Sequence, residues 1–368
     1  MSQNLYLSNP IRVLRLIPVL DFGGVESRFA LQAAQWRSQT IQVEYCTFWK
    51  DGAAAGRLRD LGATVHVLGE DPSVRNPKAT RALYQLVRKN KYDIVHSSIG
   101  EANFHNMLIG IATPWKTIIE EAGIPSRRVR NRLIHGLLYR ACDSIVAVSQ
   151  ASADYLTARE WAPRSRVKVI PNAIRPEFFD GPQSTRGVST LKTFRAVGRL
   201  TAVKNYAMLI RAFAQARQQA PNIRLEIVGE GEDRQQLESL IHELNASSFI
   251  MLRGFISDIV ALHKDTDFFL MPSLSEGFGL AAAEPMAMGV PGLGSTVGGL
   301  FTVFGDLADE WLLPAKDESA WARRIQRLAQ SDAQTYHQWA AQFAAEAQRF
   351  SPDRYIRDLE ALYRDVLV

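Results

Sequence analysis

Short apolar or alternating runs recur along the chain in two series, each run followed by a loop or a stretch of helical period. The first series comprises residues 11–20, 43–48, 64–68, 93–97, 116–120, 144–149 and 167–170. The second comprises 194–197, 224–228, 249–252, 268–271 and 290–293, rich in β-branched and aromatic residues. Runs of this length and composition read as strands. Strand alternating with helix, twice over, predicts two parallel-sheet α/β domains. A length of 368 residues agrees, at roughly 100–200 residues per domain. The seam falls between Pro171 and Leu191, where Pro171, Pro176, Gly181, Pro182 and Gly187 interrupt any periodicity. Helical patterning resumes at Ser319, and after Pro352 it places Tyr355, Leu359, Leu362, Tyr363 and Val366 on one apolar face. The expected division is therefore 1–175, 176–350 and a docking helix over 351–368.

Composition excludes several classes. Hydrophobic residues make up 46% and charged residues 22%, which is globular usage. No apolar run reaches the roughly 18 residues of a spanning helix, and Arg12 and Arg15 interrupt the N-terminal apolar stretch, so no signal peptide is read there. Cys46 and Cys142 are the only cysteines, as expected of a cytoplasmic protein. The net charge of +5 hides an asymmetry: residues 1–175 hold 24 Lys and Arg against 14 Asp and Glu, whereas the remainder is net acidic. A basic first half suits an anionic partner. No nucleic-acid recognition motif or aromatic platform accompanies it.

The chemistry concentrates between Met271 and Glu284. Here a strand ends in a Ser/Gly-rich loop that opens an Ala-rich helix near Phe278 or Gly279. The first free N–H groups of such a helix point into the crevice at the strand's carboxyl end, where a phosphate is favoured. Glu276 precedes the helix and Glu284 lies about two turns in, placed to accept from sugar hydroxyls near the loop and from a ribose deeper in. Arg199 and Lys204 follow an earlier strand and precede a helical stretch, and two cations stabilise the charge that grows on a departing diphosphate. Val228-Gly-Glu-Gly231 lacks the third glycine of a dinucleotide fingerprint, its position being Arg234. A nicotinamide enzyme is not expected.

Glu276-Gly-Phe-Gly-Leu-x-x-x-Glu284, followed by Met286-Ala-x-Gly-Val-Pro291, resembles the E-x7-E signature of the family 4 retaining glycosyltransferases. Other segments agree in order: Gly23-Gly-Val-Glu26 with the N-terminal glycine loop, Val169-Ile-Pro-Asn172 with the inter-domain segment, Gly198-Arg-Leu-x-x-x-Lys204-Asn205 with the phosphate-clamping loop, Ile227-Val-Gly-Glu-Gly231 with a base-side loop, and Gly298-Gly299. The resemblance implies the GT-B fold, with two Rossmann-like domains facing across a cleft, the acceptor on the first and a nucleotide-sugar donor on the second. It implies retaining transfer of a sugar, from a UDP- or GDP-sugar to a glycan or lipid-linked acceptor of cell-surface polysaccharide or lipopolysaccharide synthesis. Arg199, Lys204 and Glu276 would be catalytic, with His96 on the acceptor side. Gly23, Gly24, Val228, Gly229, Gly277, Phe278, Gly279, Leu280 and Glu284 would bind the donor.

In the acceptor half many relatives carry His-x-His where this chain has His96 and Ser98, leaving His96, Glu101, His105 and Glu121 as acceptor candidates. Asn172 is followed by Ala173 and Arg175 where relatives often have Gly and Asp, and Phe301 stands where they often have a polar residue. Asp265-Thr-Asp267 has a metal-binding form but directly precedes a strand, and the scattered histidines make no zinc site; no cofactor or metal is expected. Arg127, Arg128, Arg130 and Arg132 mix with apolar positions, a candidate contact with an anionic membrane surface at the inner face. The alternatives weighed are a GT-B phosphorylase or epimerase, and a catalytically silent nucleotide-sugar-binding scaffold.

Overall fold

The computed structural model describes residues 10–21, 24–111, 113–121, 132–158, 161–179 and 190–368. The chain divides into two compact units, one formed by the residues up to Ala173 together with Pro352–Val368, the other by Ile174–Ser351.

The N-terminal unit holds strands β1 (Ile11–Ile17), β2 (Ile41–Thr47), β3 (Val65–Val67), β4 (Ile94–Ser98), β5 (Lys116–Glu121), β6 (Ser144–Ala147) and β7 (Val167–Val169). Between them run α1 (Gly24–Gln35), α2 (Ala53–Asp60), α3 (Pro77–Asn90), α4 (Gly100–Gly110), α5 (Arg132–Ala141) and α6 (Gln150–Ala158). The strands pair in parallel in the order β3-β2-β1-β4-β5-β6-β7. A parallel sheet is covered on both faces, and the central strands β1, β4 and β5 are buried along most of their length, the polar Arg15, His96, Ser97, Ser98 and Glu120 included. One face packs Val13, Ile94 and Ile118 against Leu31 of α1 and against Tyr355, Ile356, Leu359, Leu362 and Tyr363 of the final helix, Pro352–Asp365. The other packs Leu14, Leu16 and Val95 against Leu83 and Val87 of α3 and Ala102 and Ile109 of α4. Local chemistry fixes α3: the Asn76 side chain accepts from the Lys78 N–H at 3.1 Å, Pro77 opens the first turn, and Lys91 closes the helix in the left-handed conformation.

The C-terminal unit holds β8 (Lys192–Val197), β9 (Ile223–Val228), β10 (Ile250–Gly254), β11 (Phe268–Met271), β12 (Gly292–Ser295) and β13 (Leu312–Leu313), parallel in the order β10-β9-β8-β11-β12-β13. Its helices include α7 (Tyr206–Arg217), α8 (Arg234–Glu243), α9 (Ile259–Lys264) and α10 (Leu280–Ala287). Aromatic rings fill this core, Phe194 stacking on Phe268 with centroids 5.0 Å apart. Both units are Rossmann-like parallel sheets, the fold class expected from the alternating pattern.

Candidate functional site

Because the strands of the C-terminal unit run parallel, the loops after β8, β9 and β11 emerge at one edge of the sheet, the edge where open α/β sheets bind ligands. The loops after β8 and β9 are zipped together: the Gly198 N–H donates to the Val228 carbonyl and the Leu200 N–H to the Glu230 carbonyl, both at 2.9 Å. A Cβ at Gly229 would stand 2.0 Å from the Gly198 carbonyl oxygen, so only glycine permits this approach. Arg199 lies within the paired segment and is exposed.

A second set of bonds ties the β8 loop to the β11 loop. Asn205, at φ 60°, caps a short 3-10 turn over Ala202–Lys204, and its side-chain amide donates to the Pro272 carbonyl at 3.0 Å and the Ala315 carbonyl at 2.7 Å. The Leu274 N–H donates to the Val203 carbonyl at 2.8 Å. Lys204 is thereby delivered to Glu276, with Nζ 2.6 Å from Oε1, both side chains largely withdrawn from solvent. Ser273, buried, donates to the same carboxylate oxygen at 2.7 Å. Their charge acts outward: the phenol of Tyr206 is pushed up by burial and by the nearby Glu276.

Past Glu276 the loop crosses Gly277 and Phe278, and Gly279, at φ 108°, opens α10. Its left-handed conformation excludes side chains on strain alone, and a Cβ there would press on Leu300 at 2.6 Å. The N–H groups of Leu280 and Ala281 come before the first intrahelical bonds, which Ala282 and Ala283 donate to the Gly279 carbonyl. These free N–H groups and the helix dipole favour an anion at that end. The Gly299 N–H braces the loop by donating to the Glu276 carbonyl at 2.9 Å. Glu284 lies on the second turn with 19% of its side chain exposed, 3.9 Å from Arg175 Nε. Burial pushes its carboxyl up to about 7, the Arg175 charge opposing this and Glu177 adding to it.

Thus Lys204 and Glu276 are in direct contact, while Arg199, Val228, Gly229, Gly277, Phe278, Gly279, Leu280 and Glu284 stand on the adjoining loops and on α10. Sequence reading passed over Ser273, although it sits inside the quoted loop, and the contact between Arg175 and Glu284, which joins positions far apart in the chain. Asp265 and Asp267 are engaged within the unit: Asp265 pairs with Arg195, and Asp267 accepts from the Thr193 N–H at 2.7 Å.

The N-terminal candidates behave differently. His96 is fully buried, its Nδ1 2.9 Å from the Tyr363 hydroxyl and facing the Arg15 guanidinium. Burial, with Arg15 and Arg28 nearby, holds its pKa well below the usual histidine range, so the ring is neutral. Beside it Glu120 pairs with both Arg15 and Arg28, and Ser98 donates to Glu120 at 3.2 Å. The small hydroxyl of Ser98 thus belongs to a buried ionic cluster, and His96 meets that cluster rather than solvent. His105 is likewise buried, with Thr80 on Nδ1 at 2.8 Å and the Pro72 carbonyl on Nε2 at 3.0 Å. Glu121 accepts from the Tyr139 hydroxyl at 2.5 Å and from Asn103 at 3.1 Å, and burial raises its pKa. Glu101 is exposed in the first turn of α4. Gly24 opens α1. Gly23, Arg127, Arg128 and Arg130, together with the side chain of Arg132, lie outside the described residues.

Comparison with known proteins bears on the fold and on the families of the two halves. Residues 182–345 match the model of glycosyl transferases group 1, and residues 22–178 match that of glycosyltransferase family 4. An uncharacterized glycosyltransferase of Methanocaldococcus jannaschii is 32% identical over 197 residues, 50% of this chain and 50% of that one, so the match spans about half the length of that relative. The putative colanic acid biosynthesis glycosyltransferase WcaL of Escherichia coli K12 is 24% identical over 327 residues, 76% of this chain and 80% of that one. Among solved structures, Anabaena HepE in complex with UDP-glucose superposes with a TM-score of 0.79 at 21% identity, over 96% of this chain and 99% of that one. The two models thus match the two halves of the chain in order, the glycosyltransferase family 4 domain first and the glycosyl transferases group 1 domain second.

Proposed function

We propose that the chain transfers a sugar from a nucleotide-sugar donor, a UDP-sugar foremost, to a glycan or lipid-linked acceptor in cell-surface polysaccharide synthesis, with retention of anomeric configuration. The observation that carries the reading is the Lys204–Glu276 contact at the mouth of the glycine loop, with Arg199 on the adjoining loop and Glu284 on the helix that the loop opens. HepE, captured with UDP-glucose on the same fold, supports the donor class.

Lys204 and Arg199 would face the donor diphosphate and Glu284 the ribose hydroxyls, while Glu276, steadied by Ser273, would accept from the sugar. As the bond from the sugar's anomeric carbon to the diphosphate oxygen breaks, its electron pair passes to that oxygen, and the two cations and the α10 N–H groups stabilise the gathering charge. The acceptor hydroxyl oxygen bonds to the anomeric carbon on the same face, and its proton passes to the departing phosphate. The cations and the helix terminus supply the charge stabilisation that a divalent ion gives elsewhere, and Asp265 and Asp267 are committed to Arg195 and Thr193.

The test begins with thermal shifts against UDP, GDP, ADP and their sugars, since a ligand that binds only the folded state raises the midpoint. A shift with one base, lost in Glu284→Ala, is expected. Lys204→Ala should then cut turnover by about 100- to 1,000-fold, as loss of one charge-stabilising donor does, with the unfolding midpoint preserved. Unchanged turnover in that variant would remove the assignment.

A further inference from the structure

Buried or nearly buried ion pairs of the C-terminal unit close on direct contact: Lys204 Nζ lies 2.6 Å from Glu276, and Arg195 Nε 2.8 Å from Glu226. Arg175 is different. Its Nε stands 3.9 Å from Glu284 Oε1, and a terminal guanidinium nitrogen 3.7 Å from Glu177 Oε1. A charge-assisted hydrogen bond between such groups is about 2.7–2.9 Å long. No hydrogen bond therefore closes either pair, although three charges are gathered in one place.

The surrounding chain fixes where that guanidinium stands. The Ile174 N–H donates to the Phe350 carbonyl at 2.9 Å, and the Phe350 ring packs edge-on against Phe278 of the glycine loop, centroids 5.2 Å apart. Pro176 then opens a 3-10 turn over Pro176–Phe178, in which the Phe178 N–H donates to the Arg175 carbonyl at 3.1 Å. The turn packs against α10, the helix that carries Glu284. Phe178 is fully buried, and the guanidinium carbon of Arg175 lies 4.8 Å from its ring centroid. Arg175 and Glu284 keep 32% and 19% of their side chains exposed, so a ligand can reach both.

The charges choose what fits there. An anion would face Glu284 and Glu177, and a cation would face Arg175. A neutral hydroxyl suits both signs, because its O–H donates to the carboxylate while its lone pairs accept from the guanidinium N–H. An oxygen about 2.8 Å from each atom spans a gap of 3.9 Å. We propose that Arg175 is a donor-binding residue: with Glu284 it holds the ribose diol of the nucleotide, donating to a hydroxyl from which the carboxylate accepts, and so makes the chain select ribonucleotides over their deoxy counterparts. The inference rests on the sugar-transfer reading, which assigns the ribose to Glu284, and adds to it a residue that specifies that ribose.

Titration calorimetry of the full chain with UDP, 2′-deoxy-UDP, 3′-deoxy-UDP and 2′,3′-dideoxy-UDP tests it. The pH is set well above the Glu284 titration at about 7, so that loss of the Arg175 charge does not protonate the carboxylate. The parent should bind one of the two monodeoxy nucleotides about 10- to 100-fold more weakly than UDP, as loss of a hydrogen bond to charged groups does. Arg175→Met should weaken UDP binding and lose most of that discrimination, while binding the dideoxy nucleotide as the parent does. Arg175→Lys keeps the charge without the planar fork and should recover part of the discrimination. Were Arg175 only a structural support, Arg175→Met would weaken all four ligands alike, and that result overturns the proposal. A parent indifferent to both ribose hydroxyls overturns it too, as does discrimination unchanged in Arg175→Met. If GDP is the nucleotide that the parent binds, its deoxy series gives the same readout. A parent that binds neither series removes the donor reading and this inference with it, whereas nucleotide binding without a deoxy penalty removes the inference alone.

Discussion

Glu284 shows how one side chain couples packing to a titration. Its carboxyl titrates at about 7 in the folded chain because burial outweighs the Arg175 charge 3.9 Å away. In the unfolded chain it returns to the ordinary glutamate value of about 4.3. Between those values the folded state binds the extra proton, so stability falls as pH rises from about 4.3 to about 7 and is flat outside that window. The penalty above the window is up to roughly 4 kcal/mol. Glu284→Gln should therefore melt at the same temperature as the parent below the window and at a higher one above it, and thermal scans across pH would show this. Nucleotide binding should run oppositely: if the carboxylate accepts from ribose hydroxyls, affinity rises as pH passes upward through about 7 and the dependence vanishes in the Gln variant. A parent affinity that is flat across this range would separate Glu284 from the ribose. Neither the elevated pKa nor the Arg175 contact could be read from the E-x7-E spacing, because both arise from groups brought together only by folding.

At the scale of elements, the loops matter more than the strands they follow. Asn205 holds two loops with one side chain, and it does so in a left-handed conformation that asparagine tolerates better than most residues. Asn205→Gly keeps the conformation and loses two hydrogen bonds to carbonyls, about 1–3 kcal/mol. Asn205→Ala loses the same bonds and adds backbone strain of roughly 1–2 kcal/mol. Chemical denaturation should thus order the three as Asn, Gly, Ala from most to least stable, and both variants should bind nucleotide more weakly through a displaced Lys204. An Ala variant as stable as Gly would mean that the turn relaxes. The strands were largely legible, since apolar β-branched runs flanked by helical period admit few other structures: 268–271 was read to the residue, and most others to within two or three. The two-residue β13 was not, because Leu312–Leu313 carries no period. Nor was the strain at Ile99, whose φ of 77° follows β4 directly, since no β-branched residue signals such a backbone. The loops and helix that carry Arg199, Lys204, Glu276 and Glu284 were legible through their order along the chain, whereas the Ser273 contact and the burial of His96 and His105 depend on depth, which sequence order does not encode.

For the whole molecule, the final helix decides how the chain is divided. Pro352–Asp365 belongs to the N-terminal unit although more than 170 residues of the other unit precede it. Its Tyr355, Ile356, Leu359, Leu362 and Tyr363 are buried in the sheet core, and Tyr363 also faces Arg15 and His96 within the ionic cluster. At about 1.5–3 kcal/mol for each fully buried side chain, those five contribute on the order of 10 kcal/mol, comparable with the total stability of a domain. Removal of residues 352–368 should therefore abolish folding of the N-terminal unit. The C-terminal unit keeps its sheet, its aromatic core and the Lys204–Glu276 pair, none of which draws on that helix. Calorimetry of the truncated chain should accordingly lose one transition and retain another that still rises with UDP. Tyr363→Phe is the milder version: it removes the hydroxyl beside His96 Nδ1 and should cost about 1–3 kcal/mol, confined to the N-terminal transition. Loss of both transitions on truncation, or a Tyr363→Phe effect on the nucleotide-responsive one, would show that the two units fold as a single cooperative body.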